Sequence, residues 1–514
     1  MHLRWGPRRC SSRLLAQGGG PDLISALPDD LLVLILAGLP CVSAAARTGV
    51  LSRRWRSLWP RLRKIVFNNV PFHSLEAVLG RLPRPPPAVS LIEICFPNEQ
   101  LPWPIPKEQL VDAASVNSLL RAAAWLDPEE FEFELPTKLF NGPLIVDLPC
   151  FHRATSILLD LHPVILRVPA GVEFPALEEL HLWGCTIDID AVLSRSPRLL
   201  TLCLSNVYSY KEGGLAMSAA PAISSASLQE LVMHQTNWVN GVNIVAPVLK
   251  QLIVSFSTME NVNISVLAPM VEMVSWRCCY FEVSIVFGVW RLEQVTLQTA
   301  ERLGQMPLLQ IHASAVRPSP TQLIASSDQT KFVNDTYRTK LFFQNYIFVC
   351  EEETFIHEME KHMIAEFSVL ELHLETNGHV FGPLAFHVLG MNRISSAMQK
   401  LKVILQRSSV KEGCSPHCPC ESKGWRSQTI SLTRIEEVEI SGCGGDDHEI
   451  DFLKLILKCA PMLKKMIVKL SDGASSSDDG CTNIYNIFKA YSSVELHVYL
   501  SSGLMLGSQD SPSA

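Results

Sequence analysis

One apolar pattern, Leu-x-x-Leu-x-Leu, recurs through the middle of this chain and restricts its fold more than any other feature. One copy reads Pro175-Ala-Leu177-Glu-Glu-Leu180-His-Leu182, and the next reads Pro197-Arg-Leu199-Leu-Thr-Leu202-Cys-Leu204. Looser copies place the second apolar anchor at Ile157, Leu231, Leu252, Val274 and Val295. The steps from Ile157 onward are 23, 22, 29, 21, 22 and 21 residues. A period of about 20–29 residues suits a stacked array, in which no unit can enclose its own core and each must cover its neighbour. Alternate residues of a short strand point to opposite faces, so Leu180 and Leu182 are expected inward and His181 outward. Cys203, Val232, Ile253, Ser275 and Thr296 take the equivalent outward positions. The long step holds Lys211-Glu-Gly-Gly214, a natural loop insertion. The expectation is an α/β fold, a curved solenoid of strand–helix repeats over residues 65–350. An unrelated α/β domain with leucine-rich strands is the other reading of the spacing.

With 514 residues the chain is long enough for two or more units of ordinary domain size. Hydrophobic residues make up 47% and charged residues 18%, a composition that packs and does not stay disordered. The apolar run from Leu31 to Leu39 is about half of the ~20 residues a membrane span needs, so no membrane is expected as a partner. The net charge of −7 argues against a general nucleic-acid binder. The fifteen cysteines follow no disulfide framework and read as reduced core thiols, which places the protein in the nucleus and/or cytoplasm. Residues 1–20 carry Arg4, Arg8, Arg9 and Arg13 without an acid and are expected to be a disordered basic terminus. Two proline-rich stretches, 84–87 and 97–107, read as surface connectors. A Ser/Pro/Gln-rich stretch from Pro318 to Thr330 marks a soft boundary.

Residues 22–62 form a separate module. Pro28 followed by Asp29 and Asp30 signals a helix start, with fixed φ first and acids at the positive helix end. Leu31, Leu32, Ile35 and Leu39 recur at near-helical spacing until Gly38 and Pro40 end the helix. A second short helix is expected over Val42 to Arg47 and a third from about Val50, stopping at Pro60. Three short helices cannot bury all of these apolar side chains among themselves, so a partner or neighbouring domain should cover the rest. The run Leu-Pro, Leu-Leu-x-x-Ile-Leu-x-x-Leu-Pro, then Val-Leu-Ser-Arg-Arg-Trp-Arg resembles an F-box. The family's positions fall on Leu27, Pro28, Leu31, Ile35, Leu39, Pro40, Val50, Ser52, Arg54 and Trp55. That resemblance implies docking on a Skp-family adaptor, and through it on a cullin, with Leu27, Pro28, Leu31, Ile35, Leu39 and Trp55 as anchors. An ordinary helical cap on the larger domain would show the same apolar stripe. The basic residues from Arg53 to Lys64 are a solvated face or a nucleic-acid patch on the same evidence.

The central array resembles irregular plant-type leucine-rich repeats. From 355 to 495 strand cues return at Phe367–Leu374, Ile435–Ile440 and Leu463–Leu470. Between the last two, residues Asp446 to Pro461 read as an amphipathic helix with acids at its start. Glu436-Glu-Val-Glu-Ile440, Asp447-His-Glu-Ile-Asp-Phe-Leu453 and Ala460-Pro-Met-Leu-Lys-Lys465, with His417-Cys418-Pro-Cys420 and Trp425-Arg426, resemble the FBD region that follows F-box and repeat segments in plant proteins. Cys414, His417, Cys418 and Cys420 lie within seven residues, but no second spaced pair accompanies them, so no metal is expected. His448 among Asp446, Asp447, Glu449 and Asp451 reads as an acidic helix start. Residues 501–514 are a polar tail.

Phosphate loops, Gly-x-Ser-x-Gly and His-Glu-x-x-His are absent from the sequence, and no catalytic residue or cofactor is expected. The resemblances together imply a non-enzymatic adaptor of an SCF-type (Skp–cullin–F-box) ubiquitin ligase, whose repeats bind a protein substrate. A leucine-rich-repeat interaction scaffold with no ligase role is the alternative.

Overall fold

The computed structural model describes residues 24, 26–82, 88–96, 110–209, 222–236, 241–258, 262–281, 285–299, 305–315, 352–407, 418, 420, 424–471, 484, 486–487, 491, 493–500 and 505–509. The basic terminus, the proline-rich connectors, the 211–214 insertion, the Pro318–Thr330 stretch, Cys414, His417 and most of the 501–514 tail lie outside them. The chain divides into two compact units, residues 1–139 and 140–514.

The first unit opens with helices α1 (Asp29–Ala37), α2 (Val42–Arg47) and α3 (Arg53–Arg56). Its remainder alternates strand and helix: β1 (Lys64–Asn68), α4 (Phe72–Leu79), β2 (Leu91–Cys95), α5 (Ala113–Trp125) and β3 (Glu130–Leu135). The three strands pair in parallel, with Ile65 opposite Ile92 and Ile92 opposite Phe131. The alternation Glu-Phe-Glu-Phe-Glu-Leu in β3 buries Phe131, Phe133 and Leu135 and turns the acids outward. Helices α4 and α5 pack together and contribute Leu75, Leu79, Val116, Leu119 and Leu120 to the core. Asp112 caps α5 by accepting from the Ser115 N–H at 2.8 Å.

The second unit is dominated by a long strand ladder. In chain order it holds β4 (Leu144–Asp147), β5 (Ser156–Leu161), β6 (Val164–Arg167), β7 (Glu179–Trp183), β8 (Thr186–Ile187), α6 (Ile189–Ser194), β9 (Thr201–Ser205) and β10 (Tyr208–Ser209). Next come β11 (Ala222–Ser224), β12 (Glu230–Thr236), β13 (Gly241–Val245), β14 (Gln251–Thr258), β15 (Asn263–Leu267) and β16 (Met273–Tyr280). They are followed by β17 (Val286–Phe287), β18 (Trp290–Gln298), β19 (Leu308–Ala315), α7 (Glu352–Lys361), β20 (Val369–Glu375), α8 (Gly382–Leu389), α9 (Asn392–Ala397) and β21 (Lys400–Gln406). The last are β22 (Glu437–Cys443), α10 (Asp447–Cys459), β23 (Lys465–Leu470), β24 (Glu495–Tyr499) and β25 (Met505–Gln509).

Six of the seven expected anchors fall into one register. Ile157, Leu180, Leu202, Leu231, Leu252 and Val274 are successive partners across parallel strands β5, β7, β9, β12, β14 and β16. All six are buried, and His181, Cys203, Val232, Ile253 and Ser275 on the other face are half-exposed. Gly184 and Asn206 take the left-handed conformation at equivalent points just after β7 and β9. Asn and Gly adopt that conformation at least cost, and it turns Cys185 and Val207 into the core.

The seventh anchor departs from expectation. Val295 lies on β18, which runs antiparallel to β16, so Val295 opposes Cys278 and Thr296 opposes Arg277. The physical reason is length. Only the stretch 281–289 separates β16 from β18 in the sequence, whereas a parallel return needs about a dozen residues. A second antiparallel step to β19 restores the direction, and β19 to β24 are again parallel. Leu309, Leu370, Leu401, Val438, Met466 and Leu496 form the buried row there.

The strand–helix expectation also needs correction in the middle of the array. The segments returning between ladder strands from 144 to 267 are mostly second strands, joined as β4–β6–β8–β10 and β11–β13–β15, with α6 among them. Short alternating sequences such as Asn263-Ile-Ser-Val-Leu267 have too few residues for a stable helix turn sequence and favour β pairing through their branched side chains. Helices occupy the returns in the last third, where α8, α9 and α10 lie between ladder strands. Among the described residues, no helix is long and apolar enough to cross a membrane.

Candidate functional site

Helix α1 is apolar around most of its circumference, and its two apolar sides have different fates. Leu32 and Leu36, one turn apart, are fully buried with Val42, Ala45, Leu58 and Leu62. Leu31, Leu34 and Ile35 project from the opposite side and are 46%, 67% and 51% exposed. Leu39 beyond the helix end, and Val50 and Leu51 between α2 and α3, are exposed as well. Water-facing aliphatic side chains at this density form a patch with nothing covering it among the described residues.

The helix is held at its N-terminus by charge. Pro28 precedes the first turn without a side-chain cap, and Asp29 and Asp30 supply acids to the positive end. Arg54 Nε donates to Asp29 Oδ1 at 2.6 Å, and its other arm donates to the Leu27 carbonyl at 2.5 Å. Arg61 pairs with Asp30 at 2.7 Å. Arg54 therefore fastens α3 to the start of α1 instead of pointing away from the module. The expected third helix from Val50 is shorter than its sequence suggested. A 3-10 turn covers Thr48–Val50, α3 has four residues, and a second 3-10 turn carries Trp59 and Pro60. Ser52 is extended and breaks the run. Trp55 is half-buried, Leu27 is half-buried, and Pro28 and Pro40 are exposed. Leu31, Ile35, Leu39 and Val50 belong to the motif positions, whereas Leu34 and Leu51 lie outside them. The signal for Leu34 was its place one turn beyond Leu31 on the same side.

Two other side-chain clusters have the makings of chemistry, and one is structural. Asp446, His448 and Glu449 come together at the start of α10. Glu449 is 2% exposed and accepts backbone N–H groups from Gly444 and Gly445 at 2.8 Å and from Asp446 at 3.1 Å. It also meets the Arg407 guanidinium, which lies 3.1 Å from Asp446. A carboxylate with this many donors is a helix cap, as the acidic run implied. Burial pushes the His448 imidazole below its usual pKa, against the pull of Glu449 and Asp446. The second cluster is a buried polar knot. Trp276 Nε1 donates to His362 Nδ1 at 3.0 Å, and Tyr280 Oη lies 2.7 Å from Glu358 and 2.5 Å from His362 Nε2. Lys361 pairs with Glu358 at 2.8 Å. This knot pins α7 and the residue after it to β16. His362 and Glu358 have no exposed edge for a substrate.

A family model described as F-box domain matches residues 24–67, and one described as FBD matches residues 432–468. The first match contains the exposed patch of α1, and the second spans β22, α10 and the start of β23. Three proteins of Arabidopsis thaliana are similar to the chain. An FBD-associated F-box protein is 26% identical over 220 residues, 40% of this chain and 44% of the relative. An F-box/LRR-repeat protein is 28% identical over 205 residues, 38% and 40% of the two chains. An F-box/FBD/LRR-repeat protein is 26% identical over 268 residues, 48% and 50%. The chain spans about half or less of the length of these curated relatives. F-box and FBD segments thus frame the chain, and its homologues are plant F-box/FBD/LRR-repeat proteins.

Proposed function

We propose that this chain is the substrate-recognition adaptor of an SCF-type ubiquitin ligase, its residues 22–62 docking a Skp-family protein and its repeats binding a protein substrate. The observation that carries the reading is the exposed Leu31–Leu34–Ile35 side of α1, inside the segment matched by the F-box model. An aliphatic helix face, with half-buried Trp55 on the α3 that Arg54 fastens to the start of α1, suits helix-in-groove docking, in which a few anchors supply most of the binding energy. Leu27, Pro28, Leu31, Ile35, Leu39, Pro40, Val50 and Trp55 are the proposed contacts, and Arg54 orients them. The cullin is reached through the Skp protein.

The mostly parallel strand ladders that begin at β1 and at β5 are, in this reading, leucine-rich repeats over residues 65–350, followed by an FBD-like region over 355–495. The in-register anchors and the relatives' LRR-repeat names support it. The outward row His181, Cys203, Val232, Ile253 and Ser275 belongs to the proposed substrate face. No chemistry is asked of the chain itself, because holding a substrate beside a conjugating enzyme raises its effective concentration. Such an adaptor would work in the nucleus and/or cytoplasm.

Co-purification of the full chain with a Skp-family protein tests the reading. Wild type should retain the partner, and Leu31→Asp combined with Ile35→Asp should lose it while keeping a wild-type thermal transition. Failure of wild type to retain any Skp protein points instead to a repeat scaffold without a ligase link.

A further inference from the structure

The cysteine run near residue 418 looks unsuited to metal when its own spacing is considered, because it lacks a second pair. The fold supplies the missing donor from elsewhere. His379 Nδ1 lies 3.3 Å from Cys418 Sγ, across 39 residues of sequence. Cys420 completes a group whose three donor atoms all lie within 4.8 Å of one another. A tetrahedral zinc centre separates a thiolate sulfur from a ring nitrogen by about 3.6 Å and two thiolates by about 3.8 Å, so small side-chain adjustments suffice.

The described residues that flank the donors in the sequence are themselves anchored. His379 follows the tight turn Asn377-Gly378, both residues left-handed, and its N–H donates to the Thr376 carbonyl at 2.8 Å. Asn377 anchors that turn by donating to the Ala315 carbonyl at 2.9 Å. On the other side, Trp425 is buried against α8, its ring filling the space a side chain at Gly382 would need and lying 5.8 Å from the Phe386 ring. Arg426 next to it pairs with Asp451 of α10 at 2.7 Å. His379 and Cys420 are 5% and 3% exposed, and Cys418 is half-exposed, which leaves an entry side.

We propose that His379, Cys418 and Cys420 bind a zinc ion that clips the segment preceding Trp425 onto the turn between β20 and α8. Two soft thiolates and one imidazole favour zinc over the hard cations. Binding displaces the two thiol protons to solvent, uses the neutral imidazole as the third donor, and keeps a fourth position for water. Because the clip joins positions 39 residues apart, it stabilises the folded state by closing a long loop. The inference is independent of the adaptor reading, since it invokes no residue of the first unit.

The test uses the full chain, stripped with a chelator under reducing conditions and then titrated with zinc chloride. Metal content after desalting is measured by atomic emission, and alkylation of each cysteine is followed by peptide mass spectrometry. The expected result is one zinc per chain, with Cys418 and Cys420 protected from alkylation by zinc and the other cysteines unaffected. His379→Ala should weaken zinc retention by more than about a hundredfold, a loss larger than that from removing an outer hydrogen-bond partner. Absence of zinc-dependent protection at Cys418 and Cys420 in the wild-type chain overturns the site without any variant. Equal zinc retention by wild type and His379→Ala overturns it too, because the metal then sits on other thiols.

Discussion

Replacing His362 with leucine tests whether the buried knot between β16 and α7 is held by a neutral imidazole. His362 is fully buried, and burial, with a further contribution from Lys361, pushes its pKa down to about 3. Tyr280, Glu358 and Cys278 also face this pocket, and burial raises the Tyr280 and Cys278 pKa values, so both stay neutral below pH 7. An unfolded histidine titrates near pH 6.5, so between about pH 6.5 and 3 the unfolded state binds the extra proton and the folded state does not. Stability is therefore complete above about pH 6.5 and falls with pH through that window. The loss is about 2 kcal/mol by pH 5 and about 4 kcal/mol by pH 3. His362→Leu abolishes this dependence, yet it leaves the Trp276 indole N–H without its acceptor, at about 1–3 kcal/mol. At neutral pH the variant should thus be the less stable protein, and by about pH 5 most of the deficit should have closed. Hydrogen exchange of the amides in β16 and α7, measured for both proteins at the two pH values, gives the local opening free energies. Groups remote from this pocket are common to the two proteins and cancel in the difference. A deficit that stays constant or widens on acidification would refute the assignment of a neutral, desolvated His362.

Further expectations separate surface from core. Leu32→Ala, at a fully buried position of α1, should cost about 2–5 kcal/mol in urea denaturation, whereas Leu34→Ala on the exposed side should stay within about 0.5 kcal/mol. Arg407→Leu removes the countercharge from buried Glu449 and should destabilise by about 3 kcal/mol, with the start of α10 losing exchange protection first. Gly442→Ala should be strongly destabilising and lower the thermal transition, because Gly442 has φ of 82° at a ladder irregularity and an added Cβ would meet the Leu405 carbonyl.

The ladder was legible where a row of apolar residues carries the information, and not where direction does. Leu180 and Leu202 announce inward positions by their alternation, and the period brings them into one register. Val295 shows the same local signal on a strand that runs the other way, because an anchor residue does not encode which end of the strand the chain enters. The return segments are ambiguous for a related reason: six or so residues with mixed polarity fit a helical turn or a short strand until neighbouring strands decide. In α1 periodicity alone does not choose a face, since Leu31, Leu32, Leu34, Ile35 and Leu36 are all apolar, and the outward set Leu31, Ile35 and Leu39 comes from the motif. The burial of Leu32 and Leu36, where α1 meets the 3-10 turn at Trp59–Arg61, leaves the other side open. The acidic run at α10 was readable as a cap because Asp446 and Glu449 have capping-box spacing. The encounter of His379 with Cys418 was not, because it is made by the fold across two ladder strands.

The adaptor reading rests on one surface, and a titration calorimetry measurement of that surface tests it most directly. Full-length wild type, Leu31→Asp/Ile35→Asp and Leu34→Asp are each titrated with a purified Skp-family protein. Each anchor buried on docking contributes on the order of 1–2 kcal/mol, so the double variant should bind at least about a hundredfold more weakly than wild type. Leu34→Asp, on the same side, should also weaken binding measurably. Equal affinity of all three proteins, or no heat of binding from the wild-type chain, would contradict the account.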